Sequence, residues 1–284
     1  MMLIELDTQL REHLPAQSAF DWLLNCAGIE HRHVKHRRTV EFEIGGKRYF
    51  IKIHRGCGWR EIFKDLFQLR PPIVSARNEW EAIGRLQKLG VRTFKIAGKG
   101  LRGKNPARRE SFLITEAMDG MISLENFPKS FQLADESGRG GARCSVLLKR
   151  ALLEKIAHIS RALHENGMNH RDFYLCHFLV KDRDWKKWRP DDELDLVLID
   201  LHRAQIRPRV PERWLVKDLG GLLFSAMDCG LTQRDLLRFV KIYSQQPLQD
   251  GSASEQAFWR RVLRNARKLY RDFHKKEPPS LSSL

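Results

Sequence analysis

The sequence predicts an α+β protein in two parts, a strand-rich first third and a helix-rich remainder. Three observations carry this. Residues 40–53, VEFEIGGKRYFIKI, alternate apolar and polar side chains on either side of Gly45-Gly46, the pattern of a tight hairpin. After the strand-like ESFLITE (110–116) the composition changes at AMDG, a linker-like stretch. Beyond it, VLLKRALLEKIAHISRALHENG repeats apolar residues at helical spacing and stops at Gly167, a natural helix C-terminus. The boundary is expected near Ala117, with residues 1–117 as the first part and 118–284 as the second.

Within the first part, Val40, Phe42 and Ile44 share one face of the first hairpin strand. Tyr49, Ile51 and Ile53 share one face of the second. The helix SARNEWEAIGRLQKLG follows. On a wheel of 100° per residue, Ala76, Trp80, Ala82, Ile83, Leu86 and Leu89 form a broad apolar face. Glu79 falls in the middle of that face, and Glu81 falls opposite, with Arg77, Arg85 and Lys88. A carboxylate centred in an apolar stripe is unfavourable without a cation. Glu79 therefore calls for a lysine or arginine from elsewhere, unless the helix is rotated to put it at a solvated edge.

In the second part, LVLID (196–200) reads as a short buried strand. KDLGGLLFSAMD and SEQAFWRRVLRNARKLYRDF read as helices. On the last helix Phe258, Trp259, Val262, Leu263, Ala266, Leu269 and Tyr270 share one face. Arg260, Arg261, Arg264, Arg267, Lys268 and Arg271 occupy a separate one.

The chain of 284 residues carries 51 Lys and Arg against 35 Asp and Glu, a net charge of +16. Such a surplus favours anionic partners: phosphate-bearing ligands, nucleic acid or an acidic membrane face. A merely soluble basic surface is the plainer reading. Five scattered cysteines without a C-x-x-C argue against a disulfide framework or structural zinc, and for a reducing compartment. The N-terminus lacks the pattern of a signal peptide, and the longest apolar runs are too short to span a bilayer.

The densest chemistry lies in GMNHRDFYLCHFLV (167–180). As a metal site it fails on spacing, because H-x5-C-H matches no common zinc pattern. As a thiol site it lacks anything to lower the pKa of Cys176, which reads as a packed core thiol. The third reading fits more of the chain. His170-Arg171-Asp172 is the H-R-D of a kinase catalytic loop, with His177 where that loop has its metal-binding Asn. LVLID ends at Asp200, where a D-F-G would stand. Lys52 sits on a hairpin strand as the kinase lysine does, and would supply the cation that Glu79 needs. The order and element types match a bilobal protein-kinase-like fold, with a β-rich N-lobe and a helical C-lobe. Departures are plain: EHRHVKHRR replaces a glycine-rich loop, His202 replaces the Gly of D-F-G, and no A-P-E is found.

YFIKIHRGCGW, ARNEWEAI, NHRDFYLCHFL and IDLHRAQ together resemble the motifs of the lipopolysaccharide core heptose kinase family, of the heptose I kinase type, from about Arg38 to about Phe239. The resemblance implies ATP- and Mg²⁺-dependent phosphorylation of an inner-core heptose at the cytoplasmic face of the inner membrane of a Gram-negative bacterium. It implies Asp172 as the catalytic residue and Lys52, with its partner Glu79, on the cofactor. Glu116 and Met118, at the end of ESFLITE and just after it, are expected to contact the cofactor too. Asp200 and His177 are expected at the metal, His177 directly or through water. Asp218 is expected to open a buried helix and brace the loop, or simply to cap that helix. Arg55, Arg203 and Arg207 are candidates for holding anions of the lipopolysaccharide acceptor. The basic helix face is expected to meet an anionic membrane surface, or an acidic protein partner such as acyl carrier protein. Nucleic acid is not expected, since no recognition motif accompanies the charge. An atypical protein kinase or a small-molecule kinase of the aminoglycoside-phosphotransferase kind stands as the alternative, and a non-enzymatic basic binding module as a further one.

Overall fold

A computed structural model describes residues 2–34, 36–67, 72–126, 139–183, 185–245 and 252–279. The chain divides into two compact units. One comprises Met1–Gln87, Thr93–Asp119 and Leu201–Arg203; the other comprises Lys88–Arg92, Gly120–Asp200 and Ala204–Leu284.

The first unit is built on six antiparallel strands: β1 (Met2–Leu6), β2 (Ile29–Val34), β3 (Arg37–Ile44), β4 (Lys47–His54), β5 (Ile96–Arg102) and β6 (Glu110–Glu116), in the order β1-β5-β6-β4-β3-β2. The β3–β4 hairpin turns on Gly45 (φ 58°) and Gly46 (φ 73°), both in the left-handed region that a two-residue turn between twisted strands requires. The strands extend beyond the predicted hairpin. β3 starts at Arg37, and the basic stretch ahead of it pairs with it as the edge strand β2.

Alternation with period two sorts the side chains of this sheet onto opposite faces. Val40, Phe42, Ile51, Ile53, Phe112 and Ile114 pack against Leu10 and Leu14 of the α1 segment (helix Thr8–His13) and Phe20 and Leu23 of α2 (Ala19–Leu24). A fully buried side chain of this size contributes roughly 1.5–3 kcal/mol, so the N-terminal helices are integral to this core. Lys52, between Ile51 and Ile53, takes the other face. α3 (Gly58–Phe67) and α4 (Arg77–Lys88) follow β4.

The second unit holds α5 (Arg139–Glu165), α6 (Glu212–Ala226), α7 (Gln233–Ser244) and α8 (Ala253–His274). A three-stranded sheet joins β7 (Met121–Ser123), β9 (Phe178–Lys181) and β10 (Leu196–Leu198), and β8 (Met168–Asn169) pairs with β11 (Gln205–Ile206). α5 ends two residues before Gly167 (φ 74°), where a Cβ would stand 1.8 Å from the Arg207 carbonyl oxygen. Glycine alone permits that approach, and the Arg207 N–H donates to the Gly167 carbonyl at 2.8 Å. α6 packs on α8. The expected face of α8 is buried through Trp259, Val262, Leu263, Ala266 and Tyr270, while Arg260, Arg264 and Lys268 are exposed. Among the described residues, no helix is long and apolar enough to cross a membrane.

Candidate active site

In the first unit, Lys52 lies mid-strand on β4, opposite Thr39 of β3 and Leu113 of β6. Its Nζ donates to Glu79 Oε1 at 2.5 Å. Glu79 is 2% exposed, so the acid in the apolar face of α4 has the cation it required. Glu81 is exposed and pairs instead with Arg77 at 2.7 Å, on the opposite side of the helix. His54, two residues along the same strand face as Lys52, is held neutral: burial, with Arg37 adding to it, pushes its pKa down to about 3. Glu116 ends β6 opposite Tyr49, with its carboxylate on Lys95 Nζ at 2.6 Å; Met118 follows, half-buried. Arg55 donates to the Leu24 carbonyl at 3.0 Å and to Asn25 Oδ1 at 2.7 Å. Through this one nitrogen it fastens the end of α2.

In the second unit, the His170–His177 loop is held from beneath by α6. Asp218 is fully buried; its Oδ2 accepts the His170 N–H at 2.6 Å and its Oδ1 the Arg171 N–H at 2.8 Å. α6 begins at Glu212, so Asp218 neither opens nor caps the helix but braces the loop from its second turn. Ser225, two turns further on, accepts the Leu175 N–H at 2.9 Å. Arg171 (φ 75°) and Asp200 (φ 61°) both sit in the left-handed region, a conformation that costs a non-glycine residue about 1–2 kcal/mol and that the surrounding bonds maintain.

Proton positions on the two imidazoles follow from their acceptors, since a carbonyl only accepts. His170 Nε2 lies 3.0 Å from the Ile199 carbonyl oxygen and so carries a hydrogen; burial lowers the pKa of this ring and keeps it neutral. His177 Nδ1 lies 2.6 Å from the Asp172 carbonyl oxygen and carries the hydrogen there. Its Nε2 is left facing Asp200 Oδ2 at 3.4 Å. A lone pair directed at a carboxylate calls for a positive centre between them, either a proton or a metal ion. The pair thus fits a divalent cation. No group of three or more His, Cys, Asp and Glu side chains gathers among the described residues, so phosphate or water would complete such a site. Cys176 has its thiol pushed up to about 11, chiefly by burial, which leaves it unsuited to nucleophilic work.

The lysine–acid pair in a strand-rich unit and the braced H-R-D loop in a helical one are kinase features. The model of the lipopolysaccharide kinase (Kdo/WaaP) family matches residues 28–243. The chain belongs to this family. It is 39% identical over 269 residues to the lipopolysaccharide core heptose(I) kinase WaaP of Pseudomonas aeruginosa, covering 95% of this chain and 96% of that protein. With the protein of the same description from Escherichia coli K12 it shares 42% over 254 residues, 89% of this chain and 92% of that one. The solved structure of WaaP in complex with acyl carrier protein superposes with a TM-score of 0.76 at 36% identity, covering 94% of this chain and 99% of that chain.

The α+β class expected from the sequence is the class observed, with an antiparallel six-stranded sheet in one unit and most of the helix in the other. Sequence reasoning missed Ser225 as the second brace of the loop. Its signal was available, because it lies seven residues after Asp218 and so on the same helical face.

Proposed function

We propose that this kinase transfers the γ-phosphoryl group of ATP to a heptose of the lipopolysaccharide inner core, heptose I being the acceptor named for its relatives. The observation that carries the reading is 39–42% identity to heptose(I) kinases over 89–95% of a chain that retains the lysine–acid pair and the braced loop. Phosphoryl transfer depends mostly on positioning and charge neutralisation. Lys52, oriented by Glu79, binds the α- and β-phosphates, and Glu116 and Met118 contact the nucleotide. Asp172 accepts the proton of the attacking sugar hydroxyl. Asp200 and His177 would hold Mg²⁺, which supplies neutralisation of phosphate charge. The first unit serves as the nucleotide-binding lobe and the second as the catalytic lobe, divided near Ala117.

Glu79 and Glu81 are expected to behave differently. Glu79→Gln leaves Lys52 without its anion inside a buried setting and raises KM for ATP; Glu81→Gln removes an exposed i,i+4 pair worth about 0.3–0.5 kcal/mol and changes little. Steady-state kinetics on both variants decide it, and a larger defect in Glu81→Gln would refute the assignment.

Acyl carrier protein, the partner in the related structure, is proposed as a partner here, at the anionic inner membrane surface. Two features support this: the outward Arg260, Arg264 and Lys268, and an apolar cavity of about 430 Å³ in the second unit, lined by Leu152, Ile156, Leu222, Leu236, Val240 and Val262 and sized for an acyl chain. ADP release tests the whole reading. Purified core oligosaccharide should stimulate it in the presence of Mg²⁺, with chelator abolishing it and peptide or aminoglycoside acceptors inert. Acyl-loaded acyl carrier protein should raise the melting temperature more than the unloaded form, and reversing Arg260, Arg264 and Arg267 to Glu should lower turnover on vesicle-bound acceptor. Transfer to peptide or aminoglycoside in preference to oligosaccharide would overturn the assignment.

A further inference from the structure

Four cationic side chains converge on one indole in the second unit. Arg171 Cζ stands 5.0 Å from the centre of the Trp214 ring, Arg213 Cζ and Lys217 Nζ each 5.4 Å, and Arg207 Cζ 5.8 Å. They arrive from three places: the residue before Asp172, the segment just after β11, and the first two turns of α6. Each gains from the ring face, and an anion brought to this face would meet several positive charges at once. Unsatisfied donors point the same way. Trp214 Nε1 and Arg207 Nη1 are buried without a hydrogen-bond partner among the described residues, and Arg207 Nη2 is bound to the uncharged Gln205 Oε1 at 2.5 Å. The α6 N-terminus adds its positive end, with Pro211 at the cap position offering no side-chain bond to it. The cluster is pre-set rather than floppy, because Arg207 is clamped to Gly167 by the β8–β11 pairing and the close approach described above. Trp214, Lys217 and Arg207 are only half-buried and Arg213 is exposed, so a ligand can reach them.

We infer that Arg171, Arg207, Arg213 and Lys217, backed by Trp214, form an oxyanion subsite that takes a carboxylate or phosphate group of the acceptor. Arg171 adjoins Asp172, the residue assigned to the acceptor hydroxyl, whereas the cation assigned to the nucleotide is Lys52 of the first unit. The subsite would therefore register an anionic acceptor so that one hydroxyl meets Asp172, and a neutral sugar would be a poor substrate. This inference rests on the function proposed above.

The test is kinetics of Arg207→Gln and Arg213→Gln on native core oligosaccharide and on the same oligosaccharide with its carboxylates reduced and phosphates removed. KM for the native acceptor should rise about tenfold or more in each variant, with KM for ATP within about twofold of wild type. On the neutralised acceptor the penalty should vanish, and wild type should lose a comparable factor. Arg213→Lys, which keeps the charge, should recover part of the loss. An unchanged acceptor KM, a penalty that persists on neutralised acceptor, or a rise in KM for ATP instead would overturn the inference, the last assigning the cluster to a nucleotide phosphate. If wild type transfers to no heptose acceptor, the functional reading falls by itself. Calorimetry with inorganic phosphate then judges the subsite alone: wild type should bind it more tightly than the Arg207→Gln/Arg213→Gln double variant, and equal binding would overturn the subsite.

Discussion

Asp172→Ala is expected to lower phosphoryl transfer by about 10²–10⁴-fold, the loss typical of a positioned base, while ATP binding and thermal stability stay near wild type. The geometry separates these effects. The loop around Asp172 is fixed by bonds that do not use its carboxylate: Asp218 takes the two preceding N–H groups, Ser225 takes the Leu175 N–H, and the Asp172 carbonyl accepts from His177 Nδ1. Truncation at Cβ leaves all four in place. Single-turnover kinetics alongside a nucleotide-binding isotherm and a thermal melt would check this. Near-normal turnover in a folded, ATP-binding variant would remove Asp172 from the mechanism.

Asp218→Asn should be nearly as severe for a different reason. Both carboxylate oxygens accept a buried backbone N–H, at 2.6 and 2.8 Å. An amide has one oxygen, so its NH₂ must face one of those donors. One charge-assisted bond is lost and a buried donor is left opposite another donor, a penalty of roughly 1.5–3 kcal/mol. Because Asp172 follows directly on Arg171, a shift of the loop also misplaces the base, and turnover should fall about 10²-fold even below the melting transition. Chemical denaturation paired with kcat measured well below the transition separates the two losses. If stability and turnover both match wild type, the loop does not depend on this brace.

Much of the site was legible in the sequence because its signals are local or periodic. The wheel separated Glu79 from Glu81, and the buried ion pair followed from the need of a centred carboxylate for a cation. The hairpin was legible from Gly45-Gly46 and strict alternation, and α8 from its two faces. What escaped reading was set by long-range pairing. β1 and β5 lie side by side although their sequences are far apart, and IEHRHV carries no alternation, because every residue of this edge strand is exposed. β8 and β11 are two residues each, too short for any period to register. The bonds from Arg55 to the end of α2 likewise depend on a packing that no local pattern announces. The start of α6 was placed late for a related reason: ERWLV lacks the clean apolar stripe of the KDLGGLL that follows.

The two braces on α6 make that helix a spacer. Asp218 and Ser225 lie two turns apart, about 10.5 Å along the axis, and within about 20° of the same azimuth. Inserting or deleting a single residue between them would swing the second contact by about 100° and carry it off the loop, while substitutions at the intervening outward positions would leave the spacing intact. The helix is therefore tolerant in composition and intolerant in length over this interval, and insertions in the second unit have to be accommodated elsewhere, as in the turn between β9 and β10.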